Sequence, residues 1–425
     1  MDTSENAGTV PADLQRLARC VPAKRRRSLS AERPDTRNAS RGIHRAMRRF
    51  GTPLPPAYRF QCPLWDRLRS ERTTGEVAIL LPHELLDFLV AEGKEEEWSH
   101  CTQPGLLRSR ADWSARTNVN INEGTPLLSC GLWGDCAPFS HREFLYMLVL
   151  TVISGQHRRY LWLCGLTKGS VCQCGCYGRH TLDALFSVIG WSFRILIIGK
   201  FPRAGHTGEV FRLGSARKEW AHRGRKLRVR AHLANFFGDW SWYKQALGLT
   251  GWRSEGPGKR ICWACHASAS VAGEYPAWDF RVQARWRRSL LTMADFRHMA
   301  REEQFFYSQL WLVPGFDISC VRVDFMHCIC LGILQYALGN TLWELVEECD
   351  GTFVRSTEAC AMILSMMESM ARSMGQRVPI YQLTITMIRK SATAAPKLKL
   401  KAAEGRRTLP LVRRLLAVCF SRNGA

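Results

Sequence analysis

The chain has 425 residues and a formal net charge of +23, because 60 lysine and arginine residues outnumber 37 acidic ones. So large an excess of cationic residues argues against an ordinary metabolic enzyme. It indicates a polyanionic partner, most simply nucleic acid, and a small-molecule substrate is not expected. A basic surface without a partner is the alternative. Hydrophobic residues make up 46% of the chain, which is enough for a large folded core.

The chain contains 17 cysteines, and its first residues are polar and charged. No secretory signal peptide is therefore expected, and the thiols should be free or metal-bound in a reducing compartment. The longest apolar runs, 144–153 and 195–198, are too short to cross a bilayer. We therefore predict that no segment spans a membrane.

Residues 1–55 are predicted to form a disordered basic tail, because they are rich in Arg, Ser, Ala and Pro and lack a repeating apolar face. A compact basic cluster lies within this tail, at Lys24, Arg25, Arg26 and Arg27. Such a cluster is typical of a nuclear import signal or of a phosphate-binding arm. The predicted location of the protein is therefore the nucleus. The alternative is that the cluster belongs to a solvated basic tail with no such role.

Residues 56–120 form a mixed segment, in which the apolar stretch Val77–Val90 predicts a helix with Pro82 near its first turn. The next apolar stretch begins at Leu127, ends in Gly-Asp135 and breaks at a proline, which predicts a strand that carries Asp135 to its C-terminal edge.

Two further helices are predicted after this strand. Ser140 and Glu143 have the spacing of a capping box, so 140–153 is predicted to be helical. The mostly apolar run 182–199 predicts a buried helix.

Between these predicted helices, Cys172, Cys174, Cys176 and His180 form a dense set of soft metal ligands. Zinc would suit such ligands, but Cys-x-Cys is not a common spacing in structural zinc sites. Whether this cluster binds a metal stays open at the level of sequence.

The segment 217–230 is strongly basic and is predicted to track a phosphate backbone. The residues assigned to this role are Arg223, Arg225, Lys226, Arg228 and Arg230.

An acid and a cysteine pair follow the basic segment. Asp239 ends the apolar stretch 233–237, where a carboxylate is suited to a hard cation, although such an acid is commonly a cap. Cys262 and Cys265 have the Cys-x2-Cys spacing of half a zinc site, and two ordinary buried cysteines are the alternative. Asp324 and His327 lie three residues apart and would share one face of a helix.

Glu404 is the only acid between Arg389 and the end of the chain. It could be an ion-pair partner among many cations, or a third metal-binding carboxylate with Asp135 and Asp239. Two acids at strand ends and one on a late helix form the layout that holds two divalent metal ions, here Mg²⁺ or Mn²⁺.

The order of these motifs resembles the DDE transposases of the CACTA (En/Spm-like) superfamily and related transposon-derived proteins. The resemblance covers about residues 125–415. The motifs that carry it are Leu-Trp-Gly-Asp135, Gly-Asp239-Trp, Cys262-x2-Cys265, Asp324-x2-His327 and Lys-Ala-Ala-Glu404.

The resemblance implies an α/β fold, with an RNase H-like mixed sheet flanked by helices. Residues 121–260 would form the first part of this core, 261–390 a zinc-motif and helical insertion, and 391–425 a C-terminal helix that completes it. Asp135 and Asp239 would lie on neighbouring strands.

The resemblance also implies roles for individual residues. Asp135, Asp239 and Glu404 would be the catalytic triad. The set Cys262, Cys265, Asp324 and His327 would hold Zn²⁺. The implied function is DNA binding with two-metal phosphodiester cleavage and strand transfer, and the alternative is a non-catalytic DNA-binding protein on the same scaffold. The oligomeric state stays open.

Overall fold

The computed structural model describes nine ranges of the chain: residues 54–93, 104–120, 125–138, 143–154, 159–249, 260–270, 273–302, 307–350 and 356–422. The predictions for the tail up to residue 53, and for the cluster Lys24–Arg27 within it, lie outside these residues.

The described chain begins with an antiparallel hairpin of strands β1 (Tyr58–Asp66) and β2 (Glu71–Ile79). Helix α1 (Pro82–Ala91) follows at once, and its first position is the proline that the sequence placed in the first turn. Helix α2 (Pro104–Thr117) completes the N-terminal segment, which is therefore of mixed structure.

A four-stranded mixed sheet follows in the chain, and its strand order is β5-β4-β3-β6. Strands β3, β4 and β5 form an antiparallel meander, whereas β6 pairs with β3 in parallel. The strands are β3 (Leu127–Pro138), β4 (Phe144–Val152), β5 (Arg159–Thr167) and β6 (Arg230–Phe237).

Strand β4 occupies most of the region in which a helix over 140–153 was predicted, so that prediction was wrong. Its sequence, Phe-Leu-Tyr-Met-Leu-Val-Leu-Thr-Val, is rich in aromatic and β-branched residues, which suit a strand between two neighbours. The capping-box spacing that favoured a helix depended on Ser140, which lies outside the described residues. Sheet pairing on both sides therefore decides this segment.

The connection from β5 to β6 contains helix α3 (Arg179–Ile198) and helix α4 (Ala216–His222). Helix α3 packs against β6 and ends at Gly199, whose positive φ of 73° is typical of a glycine that closes a helix. The main hydrophobic core lies around α3, the sheet and the hairpin, with Phe186, Phe193 and Leu132 fully buried.

Short helix α5 (Trp240–Leu247) follows β6, and a segment with much irregular structure leads from it to the C-terminal helices. This segment contains α6 (Met293–Glu302) and short 3₁₀ turns at Arg285–Arg288, Gln309–Leu312 and Ile318–Cys320. Val321 forms a parallel bridge with Phe236, and the Arg322 N–H donates to the Phe236 carbonyl at 3.0 Å. The chain thus returns to the free edge of β6.

The remaining helices build a second hydrophobic core, in which Leu342, Ile363 and Leu411 are almost fully buried. The described part of the chain from Leu334 onward is therefore largely helical. The helices of this core are α7 (Leu334–Asp350), α8 (Ser356–Ser373), α9 (Ile385–Ile388) and α10 (Ala402–Arg422).

A π-helix, Met326–Ile333, joins the two cores. It leads without a break into α7 and also packs against α10. π-Helices are rare, and those that occur are frequently found at functional sites.

Two helical stretches of the described chain are long and apolar enough to cross a bilayer, Arg179–Ile198 and Met326–Glu348. In the first, 72% of the apolar window is buried inside the protein, and in the second 39%. The first is helix α3, which packs as the central helix of the main core. The absence of a membrane segment stays a prediction.

Candidate functional site

Asp135 and Asp239 lie at the same edge of the sheet. Trp133 of β3 is paired with Phe237 of β6 in a parallel register. Each aspartate follows its paired residue by two positions, and residues two apart on a strand share a face. Asp239 keeps extended backbone angles of φ −84° and ψ 175°, so the extended conformation continues to it. Both carboxylates are therefore carried to the C-terminal edge of neighbouring parallel strands.

The glycine before each aspartate allows the side chain of Trp242 to pack beneath this edge. A Cβ atom on Gly134 would lie 1.9 Å from the Trp242 ring, and one on Gly238 would lie 2.2 Å from it. The Gly238 position is also 2.9 Å from the Gly134 carbonyl oxygen, because the two strands come close here. Trp242 is only 3% exposed, so any larger residue at either position would collide with a fixed ring.

Each aspartate is held by a backbone hydrogen bond and keeps a second carboxylate oxygen. The Cys136 N–H donates to Asp135 Oδ1 at 2.6 Å, and the Trp242 N–H donates to Asp239 Oδ1 at 2.6 Å. The second bond makes Asp239 the N-cap of α5. Asp239 therefore has the cap role that sequence reasoning weighed as its ordinary alternative, in addition to its place at the edge.

The Cys136 thiol responds to both carboxylates. Burial raises its pKa first, nearby Lys168 lowers it, and the negative charges of Asp135 and Asp239 each raise it further. Because both carboxylates influence the pKa of the same thiol, they lie near each other, as the strand register also indicates.

Asp324 extends the row of acids along this edge. Val321 bridges to Phe236, and Asp324 and Asp239 each lie three residues beyond these bridge partners. Burial first, and then the charges of Asp324 and Asp239 among others, raise the pKa of Tyr243. Sequence reasoning placed Asp324 in a zinc motif and missed this neighbourhood, because no local pattern reveals that the chain returns to β6.

The four residues of the predicted zinc motif are not brought together as one set of ligands. His327 Nδ1 contacts the Asp324 carboxylate, which also accepts the His327 N–H at 3.2 Å. Cys262 and Cys265 form a separate pair, and in the described part of the chain no third ligand atom completes a group with them within 4.8 Å. The hydrogen bond from Cys265 lowers the pKa of Cys262 to about 6 and raises that of Cys265 itself.

Glu404 lies in the first turn of α10, where its carboxylate accepts the Lys401 N–H at 2.8 Å. The helix packs against the π-helix, and the residue after Glu404, Gly405, faces Cys330 of that element. Glu404, Asp135 and Asp239 do not form a group whose ligand atoms lie within 4.8 Å of one another among the described residues. The structure therefore joins two acids of the predicted triad and leaves the third on the second core.

Much of the predicted phosphate-binding strip has a structural role. The carboxylate of Asp87, only 3% exposed, accepts hydrogen bonds from Arg225 Nη2 at 2.7 Å and from Arg228 Nη1 at 2.9 Å. Arg230 is 8% exposed and donates to the Asn120 carbonyl at 3.0 Å. These internal partners tie the three arginines to the core, and Arg230 is also buried. Their phosphate role stays a prediction.

The other two residues of that strip are exposed, and one of them has an exposed ion-pair partner. Arg223 pairs with Glu219 at 2.5 Å, with both side chains more than half exposed. Lys226 is exposed beside the short bridge that its backbone forms with Lys200.

Cys172, Cys174, Cys176 and His180 are the only group in the described part of the chain whose ligand atoms all lie within 4.8 Å of one another. The Cys172 and Cys174 sulfurs are 3.4 Å apart, and His180 Nδ1 lies 3.5 Å from the first and 3.3 Å from the second. All three cysteines are free thiols. This group could bind a metal ion such as zinc.

A cleft of about 770 Å³ lies between this cysteine loop and helix α5. Four cations line it, Arg67, Lys168, Arg179 and Lys244, and none of the described residues around it is acidic. Arg67 also pairs with Glu143 at 2.9 Å on the exposed side. Since Asp239 is the N-cap of α5 and Ser241 of this helix lines the cleft, the basic cleft and the acidic edge adjoin.

Comparison of the chain with protein-family models, with curated proteins and with solved structures finds no match.

Proposed function

We propose that the chain is a transposon-derived, DDE transposase-like protein that binds DNA and cleaves and transfers phosphodiester bonds at the edge of its sheet. The observation that carries this proposal is the parallel register that sets Asp135 beside Asp239. The strand order supports an RNase H-like core, because an antiparallel meander is followed by a helical crossover to a strand parallel with the first. The resemblance implies a mixed sheet flanked by helices, with Asp135 and Asp239 on neighbouring strands.

The donor set at the edge fits Mg²⁺ or Mn²⁺. Both aspartates are partly exposed, and each has one oxygen bonded to a backbone N–H and another to offer a cation. Hard divalent cations prefer such carboxylate oxygens. When bound, they lower the pKa of an attacking hydroxyl and stabilise the charge on the leaving oxygen. The protein contributes the fixed spacing of the carboxylates, which the glycines and Trp242 enforce.

The third carboxylate of the proposed site is Glu404, as the resemblance implies. It lies in α10 and does not form a close group with the two aspartates among the described residues. Asp324, whose charge acts on Tyr243 together with that of Asp239, is the other acid that can complete the site. The two alternatives differ in which core supplies the ligand.

The basic cleft offers a path for DNA toward the edge. Its cations neutralise phosphates, and the exposed aromatic ring of Tyr177 on its rim can stack on a base. DNA affinity should therefore fall steeply as salt rises. Nuclear import through Lys24–Arg27 belongs to the same proposal.

A nicking assay on supercoiled DNA with Mn²⁺ tests the catalytic part. Asp239→Asn removes the charge and keeps a good N-cap, so α5 should stay folded. Asp112→Asn, at an exposed position of α2, is the matched control. We expect nicking by the wild type and by the control, and loss of nicking with retained DNA binding in Asp239→Asn.

Equal nicking by wild type and Asp239→Asn would contradict a role for this edge in the reaction. Asp324→Asn and Glu404→Gln, tested in the same assay, identify the third ligand. The substitution that abolishes nicking identifies the residue that supplies the third carboxylate.

One observation favours a second function, a non-catalytic DNA-binding protein. Glu404 bonds to the backbone of its own helix and forms no close group with the two aspartates. In that case the wild type would bind DNA in a salt-dependent manner and would show no nicking that depends on a divalent metal.

A further inference from the structure

We propose that Cys172, Cys174, Cys176 and His180 bind one zinc ion, which fixes the loop between β5 and α3 beside the basic cleft. This site lies apart from Asp135 and Asp239 and does not depend on their proposed chemistry. It also differs from the Cys262 and Cys265 pair to which sequence reasoning assigned zinc.

The spacing of the Cys172, Cys174 and His180 ligand atoms is close to that of three corners of a tetrahedron around zinc, and the Cys176 sulfur lies within 4.8 Å of all three. Zn–S bonds of about 2.3 Å and Zn–N bonds of about 2.0–2.1 Å give tetrahedral edges of about 3.8 Å between sulfurs and about 3.6 Å from sulfur to nitrogen. The Cys172 and Cys174 sulfurs are 3.4 Å apart, and His180 Nδ1 lies 3.3 Å from Cys174. The thiols thus stand slightly inside the distances that a shared zinc ion would set.

The donor chemistry favours zinc over a hard cation. Three thiol sulfurs and one imidazole nitrogen are soft or borderline ligands, which select zinc. Four protein ligands leave no open position for a substrate, so the site is of the closed, structural kind. The Cys172 and Cys174 sulfurs are also far beyond the S–S bond length of about 2.05 Å, which agrees with free thiols rather than a disulfide.

The loop backbone is bent in the way that encloses an ion. Gly175, Tyr177 and Gly178 have positive φ angles of 89°, 54° and 83°. Tyr177 is an unusual residue for this conformation, and its ring is 78% exposed, so burial of the ring does not stabilise it. A metal ion that binds Cys176, directly before Tyr177, and His180, three residues after it, would hold this strained turn in place.

The site is attached to the core at one end and to the cleft at the other. Cys172 is buried, and its N–H donates to the Thr181 hydroxyl at 3.0 Å, which in turn donates to the Pro63 carbonyl at 2.5 Å in β1. The opposite side of the loop presents Tyr177 and Arg179 to the cleft. Zinc at this point would therefore fix one wall of the cleft to the end of β1 and the start of α3.

The test is the zinc content of the full chain purified under reducing conditions, measured by mass spectrometry of the metal. Cys174 is exposed, so Cys174→Ser should leave the core folded. We expect it to lower the zinc content by about one ion per chain. Cys419→Ser, in α10 and outside the cluster, is the control and should leave the content unchanged. His180→Cys should keep the ion, because four thiolates also bind zinc.

A second measurement does not depend on the stability of these variants. Cobalt added to the metal-free Cys262→Ser/Cys265→Ser double variant should give the near-ultraviolet absorption of thiolate-bound cobalt, and zinc should displace it. Absence of this absorption would overturn the proposal. So would a zinc content that is the same in Cys174→Ser and in the wild type, or a disulfide between Cys172 and Cys174 in the freshly purified chain.

Discussion

The buried carboxylate of Asp87 should contribute more to stability than any exposed ion pair of this chain for which both partners are described. It lies in α1 and accepts three hydrogen bonds, from Arg225 Nη2 at 2.7 Å, from the Arg228 backbone N–H at 2.7 Å and from Arg228 Nη1 at 2.9 Å. The perturbation is Asp87→Ala, which removes all three acceptors at once.

The magnitude follows from the exposure of the partners. Loss of one member of a fully buried ion pair costs about 3–5 kcal/mol. Here the side chains of Arg225 and Arg228 are 30% and 48% exposed, so their guanidinium groups can regain water when the carboxylate is gone. The Arg228 backbone N–H loses its acceptor at a site that is largely closed to water. We therefore expect the free energy of unfolding to fall by about 3 kcal/mol, the lower end of that range.

Urea unfolding of the full chain, followed by circular dichroism and tryptophan fluorescence, measures this loss. Glu219→Ala is the matched control, because Glu219 pairs with Arg223 while both side chains are more than half exposed. Exposed pairs contribute about 0.2–1 kcal/mol. If Asp87→Ala lost no more stability than Glu219→Ala, the bonds of Arg225 and Arg228 to Asp87 would not be structural.

Two other predictions follow from the packing of the core. Gly238→Ala should lower the free energy of unfolding by about 1–3 kcal/mol, because its Cβ would collide with Trp242, whereas Gly105→Ala meets no atom within 4 Å and should change little in the same urea assay. Burial, more than nearby arginines, lowers the pKa of His83 and of His232 from 6.5 to about 3. Each of these histidines is protonated at a higher pH in the unfolded chain than in the folded chain. The free energy of unfolding should therefore fall as pH drops from about 6.5 toward 3, by about 1.4 kcal/mol per pH unit for each histidine. A urea midpoint that is equal at neutral and mildly acidic pH would contradict this account.

The elements with one strong local signal could be predicted from the sequence. The apolar run that ends in Gly-Asp135 is strand β3, and the apolar run 182–199 lies in helix α3. Strand β4 could not be predicted in this way, because its apolar residues fit either period and the nearby capping-box spacing favoured a helix. Only its two neighbours in the sheet decide the matter.

The candidate site was predictable in its residues and not in their grouping. Asp135 and Asp239 were recognisable as acids at the ends of apolar stretches, and the register that makes them neighbours is a property of the sheet. The internal partner of the basic strip could not be predicted for a related reason, since Asp87 lies more than a hundred residues earlier. In the same way, the return of Val321 to Phe236 separates Asp324 from the Cys262 and Cys265 pair.

The π-helix Met326–Ile333 gives the chain a sensitivity to length that an ordinary loop would not have. Its wide turns hold more residues than the same length of α-helix, and it runs directly into α7. Removal of one residue that let this segment relax to an α-helix would turn everything beyond it around the helix axis, because the two kinds of helix differ in residues per turn. The second core, which carries Glu404, would then rotate relative to the strand that leads to Asp239. The eight π-helical residues thus set the direction in which the helices of the second core face. We therefore expect the protein not to tolerate insertions or deletions here that a surface loop would tolerate.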